Sequence, residues 1–409
     1  MFSKENIICH ALPNGLKMVH VHRNSPVAWC GLAIDAGSRD ENDGQYGLAH
    51  FVEHTIFKGT KRRSSTRINN RMEQVGGELN AYTTKESTML YCIFPVQHLE
   101  RAVELIADLV ENSVFPEHEL STELDVVLEE VAGYRDTPSE AVFDDFEDML
   151  LAGSQLGHNI LGEEKDLRLL TPGHCLNWLK RLYVPSNMVF FSLGNSPAQR
   201  VFRLAERYFG ILSHTKRGLK RKMPPVLTPE RKVVDLGLHQ SHTIVGARVP
   251  GMYDDQRFAF ALLNNILGGP GMNSLLNVSL REKRGLVYSV DSSLTTFTDC
   301  GMLQIYLGCE QEKLKKALKL IGNTIDALAQ DPLSERRLEA YKQQYSGQML
   351  IASDSAEFTA MGTGRNMLYY NNVSTLQENV DCILSVTPVQ LQQAAQRLSL
   401  DRCSILTFR

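Results

Sequence analysis

Residues 47–60 read Gly-Leu-Ala-His-Phe-Val-Glu-His-Thr-Ile-Phe-Lys-Gly-Thr, and how this stretch folds decides the rest. On a helix, His50 and His54 lie one turn apart and face the same way. Neutral imidazoles at that spacing can both bind one Zn²⁺. Glu53 sits beside them on nearly the same side, where it can take a proton from water at the metal. The chain order is inverted relative to the common H-E-x-x-H zinc motif, because the glutamate adjoins the second histidine. The competing reading is a helix with two exposed histidines and a solvated glutamate.

A catalytic zinc needs a third protein ligand and an open position. The candidate is Glu130, in the helical run Thr-Glu-Leu-Asp-Val-Val-Leu-Glu-Glu-Val that starts at Thr122. Glu123 lies two turns earlier on the same face, whereas Glu129 points about 100° away from Glu130. Many helices carry such glutamates on a solvated surface.

Working outward, the two halves of the chain read as diverged copies of one unit. Each opens with an extended segment (28–36 and 242–249), followed by a helix, a pair of alternating strands and an amphipathic helix. The strand pair and helix at 79–110 parallel 287–325. The opening helices align at an offset of 210, which sets Phe260, Leu263 and Asn264 opposite His50, Glu53 and His54. Aligning Leu124 with Leu338 sets Gln344 opposite Glu130. The second copy therefore keeps the scaffold and loses all four metal-site side chains. Strands mixed with long helices such as 119–135 and 335–353 imply an α+β class: two homologous domains, each an antiparallel-type sheet packed with helices. The expected division is a zinc-binding domain over 1–212, a linker over 213–229 and a non-catalytic repeat over 230–409. The linker is rich in Lys and Arg and holds three prolines, a composition that builds no core and reads as solvated.

The 409 residues carry 43 Lys+Arg against 47 Asp+Glu, so no global basic field favours nucleic acid. No apolar run approaches the ~20 residues of a membrane helix. The N-terminus lacks the pattern of a secretory or transit signal. The eight cysteines are scattered with no CxxC pair and mostly sit in apolar contexts, which reads as a cytoplasmic protein with reduced thiols.

The stretches GLAHFVEHTIFKGT, GGELNAYT (76–83) and ELDVVLEEV (123–131) resemble the inverted-motif zinc peptidases, the family of pitrilysin, insulin-degrading enzyme and the mitochondrial processing peptidases. The resemblance implies Zn²⁺ held by His50, His54 and Glu130, with Glu53 as general base and Glu123 as an auxiliary acid. It implies that the strand holding Asn80 and Ala81 is an edge to which peptide substrate adds as a further strand. In the second copy it implies a glycine-rich loop at Gly268 and Gly269 beside the substrate. Arg281 and Tyr288 would form the family's substrate-contacting arginine and tyrosine pair, with Tyr288 aiding catalysis. From the residues alone, the glycine stretch is a turn after a helix, and Arg281 and Tyr288 are a helix end and a strand start. The resemblance further implies subunits that pair around a chamber, here a homodimer or a heterodimer with a related chain. The expected activity is endopeptidase cleavage of extended peptides, the alternative being a catalytically silent structural subunit.

Overall fold

The computed structural model describes residues 4–213 and 221–409. They pack as two units. Among the described residues the first comprises 4–132, 159–213, Arg221 and 351–376, and the second 133–158, 222–350 and 377–409.

The first unit holds a six-stranded sheet: β1 (Ile7–Ala11), β2 (Lys17–His22), β3 (Val27–Ile34), β4 (Glu78–Thr83), β5 (Thr88–Pro95) and β6 (Met188–Gly194), in the order β1-β2-β6-β3-β5-β4. The central strands read as nearly unbroken apolar runs, such as Met-Val-Phe-Phe-Ser-Leu-Gly in β6. They are buried on both faces, as such runs require. One face packs on the helices Leu48–Thr55 and Leu99–Asn112 through residues such as Leu32, Phe94 and Ile106. The other, with Val19, Ala33 and Phe191, is covered by Ala360 and Met367 of the helix Ala356–Tyr370. Gly364 permits that approach, since a Cβ there would lie 2.6 Å from the Phe191 ring. β4 is half exposed and ends the sheet, so one row of its backbone groups is unpaired within it.

The second unit holds β7 (Arg231–Val234), β8 (Gln240–Val249), β9 (Ser289–Thr296), β10 (Gly301–Glu310) and β11 (Ser404–Phe408), in the order β7-β11-β8-β10-β9. This reproduces β2-β6-β3-β5-β4 strand for strand, sense included. β7 pairs parallel with β11 as β2 does with β6, and the remaining pairs are antiparallel. The duplication read from the sequence is thus present as topology. The single parallel pair in each sheet departs from the expected antiparallel pattern. It is possible because a long stretch of chain, holding helices and the other strands, separates the two. The helix Pro138–Leu150 covers one face of this second sheet with Val142, Phe146 and Leu150.

Residues 214–220 of the expected linker lie outside the described residues. Just beyond them, Arg221 is not solvated. Its guanidinium is buried in the first unit, 2.8 Å from Asp35 and 2.7 Å from Asp40.

Among the described residues no helix is long and apolar enough to cross a membrane.

Candidate metal centre

The 48–55 helix starts at Gly47, whose φ of 94° few other residues adopt. No local side chain caps it. Instead the buried carboxylate of Glu41 accepts from the backbone N–H of Gly47 at 3.0 Å and of Ala49 at 2.7 Å. Two N–H groups at the helix start are thereby satisfied, and the negative charge sits at the positive end of the helix dipole. This fixes the helix that carries the histidines.

His50 and His54 project from one face with ring centroids 4.5 Å apart. The long helix Glu117–Arg135 brings Glu130 to them. Glu130 Oε2 lies 3.7 Å from His50 Nε2 and 3.5 Å from His54 Nε2. One ligand atom from each of the three residues fits within a 4.8 Å set. Tetrahedral ligands about 2.0–2.1 Å from a zinc would stand about 3.4 Å apart, so little movement would close the set on an ion.

Each neighbour contributes to the fit. His50 is buried, and its pKa is lowered to about 4, first by burial and then by His54. It is therefore neutral near pH 7 and keeps a lone pair for a metal. Its Nδ1 has no hydrogen-bond partner among the described residues. His54 Nδ1 faces Glu123 Oε1 at 3.0 Å, which places the ring hydrogen on Nδ1 and leaves Nε2 free to ligate. Glu123 Oε2 is in turn 2.5 Å from Lys58 Nζ. Glu130 is the exposed member of the set, so the centre opens to solvent on that side.

Glu53 is not among the converging ligand atoms. Burial raises its carboxyl pKa, and hydrogen bonds from the Thr83 side chain and backbone partly oppose the rise. Thr83 ends β4, so Glu53 is tied to the strand that carries Asn80 and Ala81. The side chains of Asn80 and Ala81 are partly buried, and Asn80 Nδ2 donates to Glu78 at 3.4 Å.

The remaining sequence candidates belong to the second unit. Gly268 ends the helix Arg257–Gly268, and Gly269 caps it. A Cβ on Gly268 would meet the Ser292 nitrogen at 2.7 Å, so close strand packing already accounts for that glycine. Arg281 is exposed on the π-helix Asn277–Glu282. Tyr288 directly precedes β9 and is 46% exposed. In this unit Gln344 pairs with Asn273 of the glycine-rich loop, not with the helix 257–268. The helices Glu117–Arg135 and Glu335–Ser353 both span 19 residues, and matching their ends sets Gln348 opposite Glu130. Gln348 Oε1 accepts from Asn265 Nδ2 at 2.5 Å. A neutral amide pair therefore joins these helices, with Asn265 one residue beyond the position aligned with His54. The alignment of Leu124 with Leu338 is thus one helical turn out of register.

Sequence reading missed Glu41, Lys58, Thr83 and the Tyr288 partners His242 and Tyr306. Only Lys58 carried a signal, since it lies one turn beyond His54.

A helix with two imidazoles, met by a carboxylate from a second helix, makes a group that could hold a metal ion, with the inverted motif, on a duplicated α+β scaffold. The chain belongs to the insulinase family of peptidases, family M16. The family model matches residues 17–164, and the model described as the peptidase M16 inactive domain matches 170–345. A Mycobacterium tuberculosis chain named an uncharacterized zinc protease is 32% identical over 95% of this chain and 89% of its own length. The uncharacterized zinc protease YmxG of Bacillus subtilis is 30% identical over 90% of this chain and 89% of its own. The crystal structure of a protease from Helicobacter pylori superposes with a TM-score of 0.91 at 21% identity, covering 98% of this chain and 99% of that one. That likeness shows the same fold.

Proposed function

We propose that the chain is a zinc endopeptidase that cleaves extended peptides, and that it works as a homodimer in the cytoplasm. The observation that carries this reading is the convergence of His50, His54 and Glu130 beside the partly buried Glu53. Zinc bound there supplies Lewis acidity, which polarises a scissile carbonyl and lowers the pKa of water. His50 and His54 hold the ion as neutral imidazoles, and Glu123 keeps the His54 ring in the ligating tautomer. Glu53 accepts the proton of the attacking water and returns it to the leaving amine. A carboxyl raised by burial is suited to both halves of that transfer. The free edge of β4 recognises the peptide main chain, so substrates must be unfolded over several residues.

Arg281 and Tyr288 belong to the unit that has lost its metal ligands. We assign them to a partner copy's site, where they hold the substrate and the developing charge. A two-fold homodimer is the simplest assembly in which one gene product supplies both sets. Eight free cysteines, six of them buried, suit a reducing compartment.

The test uses purified full-length protein and a quenched, unstructured peptide. Glu53→Gln should keep its zinc and lose at least ~10²-fold in turnover. Wild-type turnover by a zinc-loaded Glu53→Gln protein would remove Glu53 as the base. Zinc-loaded wild type that cuts no unfolded peptide would instead favour a structural subunit.

A further inference from the structure

The second unit carries a polar cluster that the metal centre does not account for. On one face of its sheet stand His242 of β8 and Tyr306 of β10, with Tyr288 just before β9. His242 is directly opposite Gly308, and Gly308 is opposite Ser289. Tyr306 lies two residues before Gly308 and therefore points to the same face. Its hydroxyl is 2.9 Å from His242 Nδ1, and its ring stacks on Phe143 with centroids 5.3 Å apart. Tyr306 is 6% exposed and so is fixed from every side. The Tyr288 hydroxyl rests at the rim of this pair, 3.4 Å from the Tyr306 hydroxyl and 3.5 Å from His242 Nδ1.

The ring of Tyr288 reaches that position only because residue 308 has no side chain. A Cβ on Gly308 would lie 2.3 Å from both the ring carbon Cζ and the hydroxyl oxygen of Tyr288. The Tyr288 backbone N–H donates to the Gly308 carbonyl at 3.0 Å, which ties the root of the side chain to the same residue. Burial, Tyr288 and Asp291 all push the Tyr306 phenol up, so it stays protonated. Burial pushes His242 down, so it stays neutral and can accept that proton in a hydrogen bond. The firm bond is thus between Tyr306 and His242, both at least half-buried. The long contacts belong to the exposed phenol, which is held in direction yet free to exchange its partners.

We infer that Gly308, Tyr306 and His242 form a seat that aims the Tyr288 hydroxyl at the substrate, with Tyr306 and His242 acting as positioning residues. This rests on the reading of Tyr288 as a substrate-contacting group in a zinc peptidase. The test compares kcat and KM on an unstructured peptide for zinc-loaded Tyr288→Phe, Tyr306→Phe and Gly308→Ala, and for each of the last two combined with Tyr288→Phe. Loss of one positioning hydrogen bond in Tyr306→Phe should lower kcat/KM about fivefold. Gly308→Ala, which displaces the ring, should lower it as far as Tyr288→Phe does. Neither change should add to Tyr288→Phe, whereas general damage to the fold would add. His242→Gln, which keeps an acceptor, should recover most of what His242→Leu loses.

Wild-type kinetics in Tyr306→Phe and Gly308→Ala alongside an impaired Tyr288→Phe would overturn the seat and leave the peptidase reading intact. An unimpaired Tyr288→Phe would overturn the role given to Tyr288 itself. A 3-fluorotyrosine label gives a readout independent of turnover. The Tyr288 resonance, assigned by its absence in Tyr288→Phe, should move in both Tyr306→Phe and Gly308→Ala. An unmoved resonance overturns the seat whether or not any peptide is cut.

Discussion

Replacing Glu123 by glutamine changes one oxygen to an amino group in a side chain that is not itself a candidate ligand, and it should still weaken the metal site. The Glu123 carboxylate accepts twice, from His54 Nδ1 at 3.0 Å and from Lys58 Nζ at 2.5 Å, and only 10% of it is exposed. An amide has a single acceptor oxygen. If that oxygen stays with Lys58, the amino group opposes the Nδ1 hydrogen of His54. The ring must then turn away or move its hydrogen to Nε2, and either change removes the lone pair the metal needs. If the oxygen stays with His54, the amino group faces an ammonium whose side chain is 26% exposed and can swing into water. The second arrangement costs less and loses only the charge on the hydrogen bond. The expected loss of zinc affinity is therefore ~10- to 100-fold, the range for changes one shell out from a metal. That corresponds to about 1.4 to 2.7 kcal/mol. Competition against a fluorescent chelator at neutral pH measures it, with Glu129→Gln, an exposed neighbour on another face, as the control. A Glu123→Gln protein within about twofold of wild type would refute the orienting role.

Wild-type protein should carry about one zinc per chain. His50→Ala with His54→Ala should strip it, and Glu130→Gln should weaken it; metal analysis after dialysis checks both. In the proposed homodimer, mixing Glu53→Gln with Tyr288→Phe under conditions that exchange subunits should give activity above either parent, because one site of the mixed dimer would have both groups intact. No recovery would place the pair in cis. His20 is buried beside Ser192, and its pKa is lowered from 6.5 to about 4, first by burial and then by His22. The unfolded chain binds a proton there that the folded chain refuses. His20 thus costs no stability above pH 6.5 and roughly 3 kcal/mol progressively as pH falls toward 4. Urea midpoints should fall less steeply across that window in His20→Gln, and parallel curves would contradict the assignment.

The metal helix was legible because its chemistry is local. A five-residue pattern on a 3.6-residue helix places two imidazoles together whatever the rest of the chain does. Glu130 was legible from the residues only as one candidate among helical glutamates, and the family resemblance singled it out, since its distance from His54 along the chain carries no geometric information. Thr83 acts through Glu53, which the fold brings to it from another element, and nothing in its own neighbourhood marks it. The register of the second copy was misjudged by a turn because Leu120 and Leu124 stand one turn apart, and either can be set against Leu338. Only the helix ends resolve Gln348 from Gln344. His242, Tyr306 and Gly308 sit on two strands, and strand pairing, which sequence does not specify at that distance, is what joins them.

The two packing units interleave along the chain, and they do so reciprocally. Residues 133–158 pack with the second unit and 351–376 with the first, and both ends of the later segment lie 218 residues beyond those of the earlier one. Each half of the duplicated sequence has handed the same helix to the other. On the ribosome, the first sheet emerges with Val19, Ala33 and Phe191 bare on one face, and their cover, Ala360 and Met367, is made only after about 170 further residues. The helix 138–150 is made early and must wait for β8, β10 and β11. The first unit therefore cannot finish folding before residues 351–376 have been made, nor the second before Phe408. A fragment ending at residue 212 would leave the ribosome with an apolar sheet face open to any passing strand or chaperone.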